Sequence, residues 1–269
     1  MNPVRQLKAV DFDRNRHTMR YRIHAISSQD GMRKAMEGVI GTRCGILRPS
    51  AERSFVTFGS CFAVNVAEAL ERRGAKVHST RVTEDVNSPF NNLILLRHLF
   101  RTKESSIAEE LSARLNVDLL SLRLKFEKAT DIIFTLGNIF RLNGPDGHTL
   151  VSLKGATLIR ESFDETVNSI KEIIGLLSTH TKAQIFVSVS PIPISGYVGI
   201  DFQSVVEADC ASKSQLIAAI RTLDGFTYIP TFEIFRWLAA HQEFATLGEG
   251  GTSRHLFRAH VDTAMGILC

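Results

Sequence analysis

Read for where apolar residues recur, the chain divides near residue 54. Before it, residues 1–50 are charged and aperiodic, broken by Gly38, Gly41, Gly45 and the Pro49-Ser50 pair, and they predict an irregular N-terminal extension to a domain spanning 51–269. Beyond it, short apolar runs alternate with helical patterns. SFVTF (54–58) has the form of a strand, and FAVNVAEALERRG (62–74) sets Phe62, Val66 and Leu70 on one helical face, with Gly74 where a capping glycine belongs. AKVHS (75–79) predicts a second strand, and NNLILLRHLF (91–100) a helix entered after Pro89. DIIFTLG (131–137) is the unbroken apolar run of a strand buried on both faces. SFDETVNSIKEIIGLL (162–177) carries Phe163, Val167, Ile170, Ile174 and Leu177 in helical phase, and Ser162 with Glu165 forms a capping box. A strand over 183–191, a helix over 209–223, a strand over 226–230 and helices over 232–244 and 256–268 complete the pattern.

Strands alternating with helices predict an α/β fold, a five-stranded parallel sheet with helices on both faces. Ligands of such sheets bind beyond the carboxyl ends of the strands. Four segments meet that rule: Gly59-Ser60-Cys61 after the first strand, Gly137-Asn138 after the third, Ser190-Pro191 after the fourth, and Thr231 with Glu233 after the fifth.

Each segment has a chemical and a plain reading. At Gly59-Ser60-Cys61 a serine or thiol nucleophile would sit at a helix N-terminus, whose N–H groups and dipole favour an oxyanion or a thiolate. Equally, Ser60 caps the helix and Cys61 is a small buried hydrophobe. Asn87 and Asn91 flank the turn at Pro89, as oxyanion donors or as turn and cap residues. Asn138, at the end of a buried strand, is either a cleft donor or a structural amide. His255 follows a glycine-rich loop at the entrance to the last helix, where it is placed as a general base or as an ordinary surface histidine. His260, five residues on, points elsewhere.

Composition narrows these readings without choosing among them. The net charge of +4 is dispersed, and no basic run marks a nucleic-acid partner. Cys44, Cys61, Cys210 and Cys269 show no CxxC spacing, which argues against a zinc site or a disulfide framework. No run approaches the ~18–20 apolar residues of a membrane span. The N-terminus lacks the apolar stretch of a secretory signal, so a cytoplasmic location is expected.

The run Gly59–Ala63 spells GSCFA, and the sequence resembles the family of that name over about residues 50–260. VNSPFNNL (86–93), the strand ends Thr135–Gly137 and Val189–Pro191, Ser212–Leu216, Pro230–Ile234 and the pair Arg254-His255 follow in the expected order. That family is similar to the SGNH/GDSL hydrolases, three-layer α/β/α flavodoxin-like proteins that include esterases and O-acyltransferases of carbohydrates. The resemblance implies a nucleophile at Ser60 or Cys61, oxyanion donors at Gly59, Gly137 and either Asn91 or Asn138, and a base at His255. Three positions depart from the pattern. The nucleophile's place, two after the glycine, holds Cys61, and the usual asparagine place holds Ile139. Thr252 stands where an aspartate would orient His255; Glu249 is the nearest acid, and Asn87 and Arg254 are further candidates.

The expected function is therefore an SGNH-type ester hydrolase or O-acyltransferase working through a covalent acyl-enzyme on an acylated saccharide or another small molecule. It needs no cofactor, and acyl-CoA becomes a co-substrate if the reaction is a transfer. The alternative is a non-catalytic module that binds a glycan or a partner. A nucleotide-binding flavodoxin-like module lacks its glycine-rich phosphate loop.

Overall fold

The structure, a computed structural model, describes residues 28–100, 106–143, 149–150, 157–197, 201–238, 247–248 and 255–269. Strand β1 (Ser54–Gly59) leads directly into helix α2 (Cys61–Glu71), and β2 (Lys76–Arg81) returns beside β1. After α3 (Pro89–Leu99), α4 (Ser106–Leu115) and α5 (Leu119–Lys128) comes the central strand β3 (Asp131–Leu136). Helix α6 (Phe163–His180), β7 (Gln184–Val189), α7 (Val205–Arg221), β8 (Thr227–Ile229) and α8 (Arg258–Leu268) follow. The five-stranded sheet has the order β2-β1-β3-β7-β8 with every pair parallel. Numbered within that sheet alone, this is 2-1-3-4-5, the flavodoxin-like order.

Period-two alternation along the strands builds two cores. Ile132, Phe134 and Leu136 of β3 and Ile185, Val187 and Val189 of β7 join the layer containing α3, α5, α6 and α7, whereas Phe55, Ile133 and Phe186 face the layer of α2 and α8. The capping box predicted at the start of α6 is present, while α3 begins at Pro89, two residues ahead of the predicted 91–100. Ser162 and Glu165 close a reciprocal capping box on α6, and Ser88 caps α3 with Pro89 in its first turn.

Several expectations need correction. Residues 29–40 are not irregular; they form helix α1 (Gln29–Ile40), capped by Ser28. Met32, Met36 and Ile40, at spacings of four, enter the second core, a stripe too sparse to stand out among charged neighbours. Helix α7 begins at Val205 under an Ser204 cap rather than near 209. The segment after β8 is a π-turn, Glu233–Trp237, and the remainder of the helix expected to 244 lies outside the described residues. Between β3 and α6, three short strands, β4 (Phe140–Asn143), β5 (Thr149–Leu150) and β6 (Thr157–Arg160), form a separate antiparallel sheet that the sequence pattern did not show. Among the described residues no helix is long and apolar enough to cross a membrane.

Candidate active site

The carboxyl-end rim of the sheet is shaped by two glycines. Gly59, at the end of β1, has φ 120°, and a Cβ there would lie 2.1 Å from the Thr135 carbonyl oxygen. The main chains of β1 and β3 approach too closely for any other residue. This approach lets the Ser60 N–H donate to Thr135 Oγ1 at 2.8 Å and to the Thr135 carbonyl at 3.1 Å. Gly137, at the end of β3, abuts Asn87: a Cβ would meet the Asn87 Nδ2 at 2.3 Å. Asn92 Nδ2 donates to Asn87 Oδ1 at 2.9 Å, which fixes the amide with its NH2 group toward Gly137.

A cavity of about 60 Å³ opens at this rim, and its lining includes Ser60, Cys61, Asn87, Gly137, Asn138, Ser190 and His255. Segments as far apart in sequence as Ser60 and His255 thus converge on one place. Their roles differ. Ser60 is 5% exposed, its hydroxyl lies 2.9 Å from Thr135 Oγ1, and it accepts the Phe62 N–H at 3.3 Å as the N-cap of α2. Cys61 occupies the first position of α2, is half-buried and borders the cavity, at the positive end of the helix dipole. His255 is exposed at the cavity edge, with its carbonyl accepting the Gly248 N–H at 2.8 Å.

Asn138 lines the cavity, yet both ends of its amide serve the fold: Nδ2 donates to the Glu84 carbonyl at 2.6 Å and Oδ1 accepts the Phe140 N–H at 2.8 Å. Asn91 is buried away from the cavity lining, and its amide has no hydrogen-bond partner among the described residues. Thr231 and Glu233 do not border the cavity; Thr231 donates to the Val189 carbonyl at 2.8 Å and Glu233 accepts from the Tyr228 hydroxyl at 2.8 Å. Glu249, Thr252 and Arg254 lie outside the described residues. Among the rim asparagines, Asn87 is thus the one whose amide nitrogen is aimed at the glycine turn.

Sequence reasoning missed Lys213. It lies on α7, 1% exposed, borders the cavity, and donates from Nζ to the Gly137 carbonyl. Burial lowers its pKa to about 8, against the raising influence of Asp209. Its signal in the sequence was phase: Asp209, Lys213, Leu216 and Ile220 share one buried row of α7, and two of the four are charged. A second, mostly apolar cavity of about 220 Å³ adjoins the first through Glu84, Asn138 and Ile194 and is also lined by Phe140 and Leu158. Among the described residues no group of three or more His, Cys, Asp or Glu side chains could hold a metal ion.

A model described as the GSCFA family matches residues 95–246, more than half of the chain. The chain belongs to the GSCFA family. The matched stretch contains Gly137, Asn138 and Lys213, while the motif Gly59–Ala63 lies ahead of it. No curated protein matches the sequence. Among solved structures, a Corynascus thermopiles (Myceliophthora fergusii) carbohydrate esterase family 2 enzyme with a carbohydrate-binding domain is similar at 12% identity and a TM-score of 0.38. That similarity covers 82% of this GSCFA chain and 65% of the esterase chain.

Proposed function

We propose that this GSCFA protein is an acyl-ester hydrolase or O-acyltransferase that works through a thioester on Cys61. The observation that carries the reading is the placement of Cys61 at the N-terminus of α2, in one cavity with His255, Asn87 and Gly137, while the neighbouring Ser60 hydroxyl is engaged as a cap. In the first half-reaction the Cys61 thiolate, its proton already on His255, attacks the ester carbonyl through sulfur. The Asn87 amide and the positive end of the α2 dipole stabilise the developing oxyanion. Collapse expels the alkoxide, which takes the proton back from His255 and leaves a thioester. In the second half, His255 removes a proton from water or an acceptor hydroxyl, whose oxygen attacks the thioester and releases the thiolate. The apolar cavity beside the site receives the acyl group; at about 220 Å³ it exceeds the roughly 150 Å³ that holds a benzene ring. An acylated saccharide is the substrate favoured by the resemblance to SGNH hydrolases, with acyl-CoA as donor if the reaction is a transfer.

Incubation with p-nitrophenyl esters, followed by mapping of the acyl adduct, tests this. The expected result is a burst with the acyl group on Cys61, lost in Cys61→Ala and slowed about a hundredfold or more in His255→Ala. An adduct on Ser60 would reassign the nucleophile. No adduct at either position, with saccharide binding retained, would establish the binding-module reading instead.

A further inference from the structure

Lys213 has no place in the reaction as drawn, and its position is costly. A buried ammonium needs compensation by paired charge or hydrogen bonds. Its hydrogen bond goes to a neutral acceptor, the Gly137 carbonyl, and among the described residues it takes part in no ion pair within 4.0 Å. Asp209, Arg236, Glu84 and Cys61 act on it electrostatically, and Glu84 and Cys61 line the same cavity as Lys213. Both carboxylates already have partners. Asp209 accepts from Arg236 at 3.0 Å and from the Ile194 N–H at 3.1 Å, and a Glu84 carboxyl oxygen accepts from the N–H and hydroxyl of Ser195. Arg236 repels the ammonium. Arg81 and His255 complete the charged and titratable groups around the cavity. Cys61 is the remaining group able to become an anion there.

We propose that Lys213 is the internal counter-cation of a Cys61 thiolate, a positioning residue that holds the nucleophile ionised before substrate arrives. Its second grip, on the Gly137 carbonyl, fixes the turn against which the Asn87 amide rests, so one side chain couples the nucleophile to the oxyanion side of the cavity. No bond is made or broken at Lys213; the thiol proton goes to His255, and the ammonium stabilises the charge that remains on sulfur. Near neutral pH the lysine, lowered to about 8 by burial, still carries its proton in most molecules. The inference deepens the acyl-transfer reading, but what it foretells is a property of the resting protein.

The test is the pH dependence of Cys61 alkylation by iodoacetamide in the full chain, resolved by peptide mass spectrometry. Cys44 and Cys210, both exposed, serve as internal references. In Lys213→Met the half-maximal pH for Cys61 should rise by about one unit or more, with about tenfold slower alkylation near neutral pH and unchanged reference cysteines. Lys213→Arg, which keeps a cation, should recover part of the shift. Superimposable Cys61 profiles for the parent and a folded Lys213→Met would overturn the proposal. Should Lys213→Met not fold, the parent alone decides: thiolate absorbance against pH, with Cys61→Ser as the blank, should rise well below the ordinary thiol value of about 8.5. A midpoint at or above that value overturns the proposal. Failure of the acyl-transfer reading looks different, because a low thiolate midpoint without any ester adduct would leave the Lys213 pairing in place and remove the chemistry.

Discussion

Ser60 and Cys61 are adjacent in the chain and opposite in commitment. Ser60 spends its N–H and its hydroxyl on Thr135 and on the first turn of α2. Ser60→Ala should therefore destabilise the protein by about 1–2 kcal/mol in chemical denaturation while leaving the Cys61 adduct in place. A variant that keeps full stability and loses acylation would give the chemistry to the serine. Glu161 allows a second prediction. It is buried and accepts the Phe90 N–H at 3.2 Å, and burial raises its pKa from 4.5 to about 7. The folded protein then holds this proton up to about pH 7 while the unfolded chain releases it near 4.5. The stabilisation is complete below the lower value and is lost as pH rises through the upper one. Glu161→Gln, which mimics the protonated acid, should match the parent at low pH and exceed it by about 3 kcal/mol above neutrality; parallel stability curves would refute this. The rim residues themselves were legible because a strand followed by a small or polar residue is visible in one dimension. Which of the two neighbours is engaged was not, since Thr135, the residue that decides it, lies 75 positions away. Lys213 was hidden for a similar reason: on a helix, a lysine is read as solvated until its row is seen to be buried.

At the scale of elements, the strand ends do the positioning. β1 and β3 pair up to Gly59 and Thr135, and the glycine's φ of 120° with no Cβ lets the chain turn directly into α2. Gly59→Ala combines an unfavourable backbone conformation with a main-chain clash and should cost about 3 kcal/mol or more, read as a lowered thermal midpoint together with loss of ester acylation. A near-normal midpoint would mean that β1 and β3 can separate at that end. The five parallel strands and the helices α2, α3, α6 and α8 followed from periodicity, because each carries a wide apolar face. Helices α4 and α5 did not; the buried face of α5 amounts to Leu122 and Phe126, while Leu120 and Leu124 point to solvent. The small antiparallel sheet escaped notice because its pairings are two to four residues long and tertiary in origin.

For the whole molecule, the two faces of the sheet have separate cores, and the second depends on residues placed ahead of the first strand. Met32, Met36, Ile40 and Leu47 are each no more than 2% exposed. The Gly45 and Leu47 N–H groups donate to the Ile267 and Leu268 carbonyls at 2.8 and 2.9 Å, binding this segment to the end of α8. Each such side chain contributes about 1.5–3 kcal/mol on burial, and their sum is comparable with the 5–15 kcal/mol stability of an ordinary domain. A chain beginning at residue 51 should therefore lose cooperative unfolding, seen as a broad thermal transition and a weak near-ultraviolet dichroism signal; a sharp transition would show that α1 is dispensable. At the other end of the same layer, Leu247 pairs with Leu256, and the Gly248 N–H holds the His255 carbonyl. The histidine is thus held through its main chain, beside the Leu247–Leu256 pairing. Because that hold is through the backbone and Leu256 is fully buried in the second core, His255→Ala should silence the imidazole while leaving the layer around α8 as firmly closed as before.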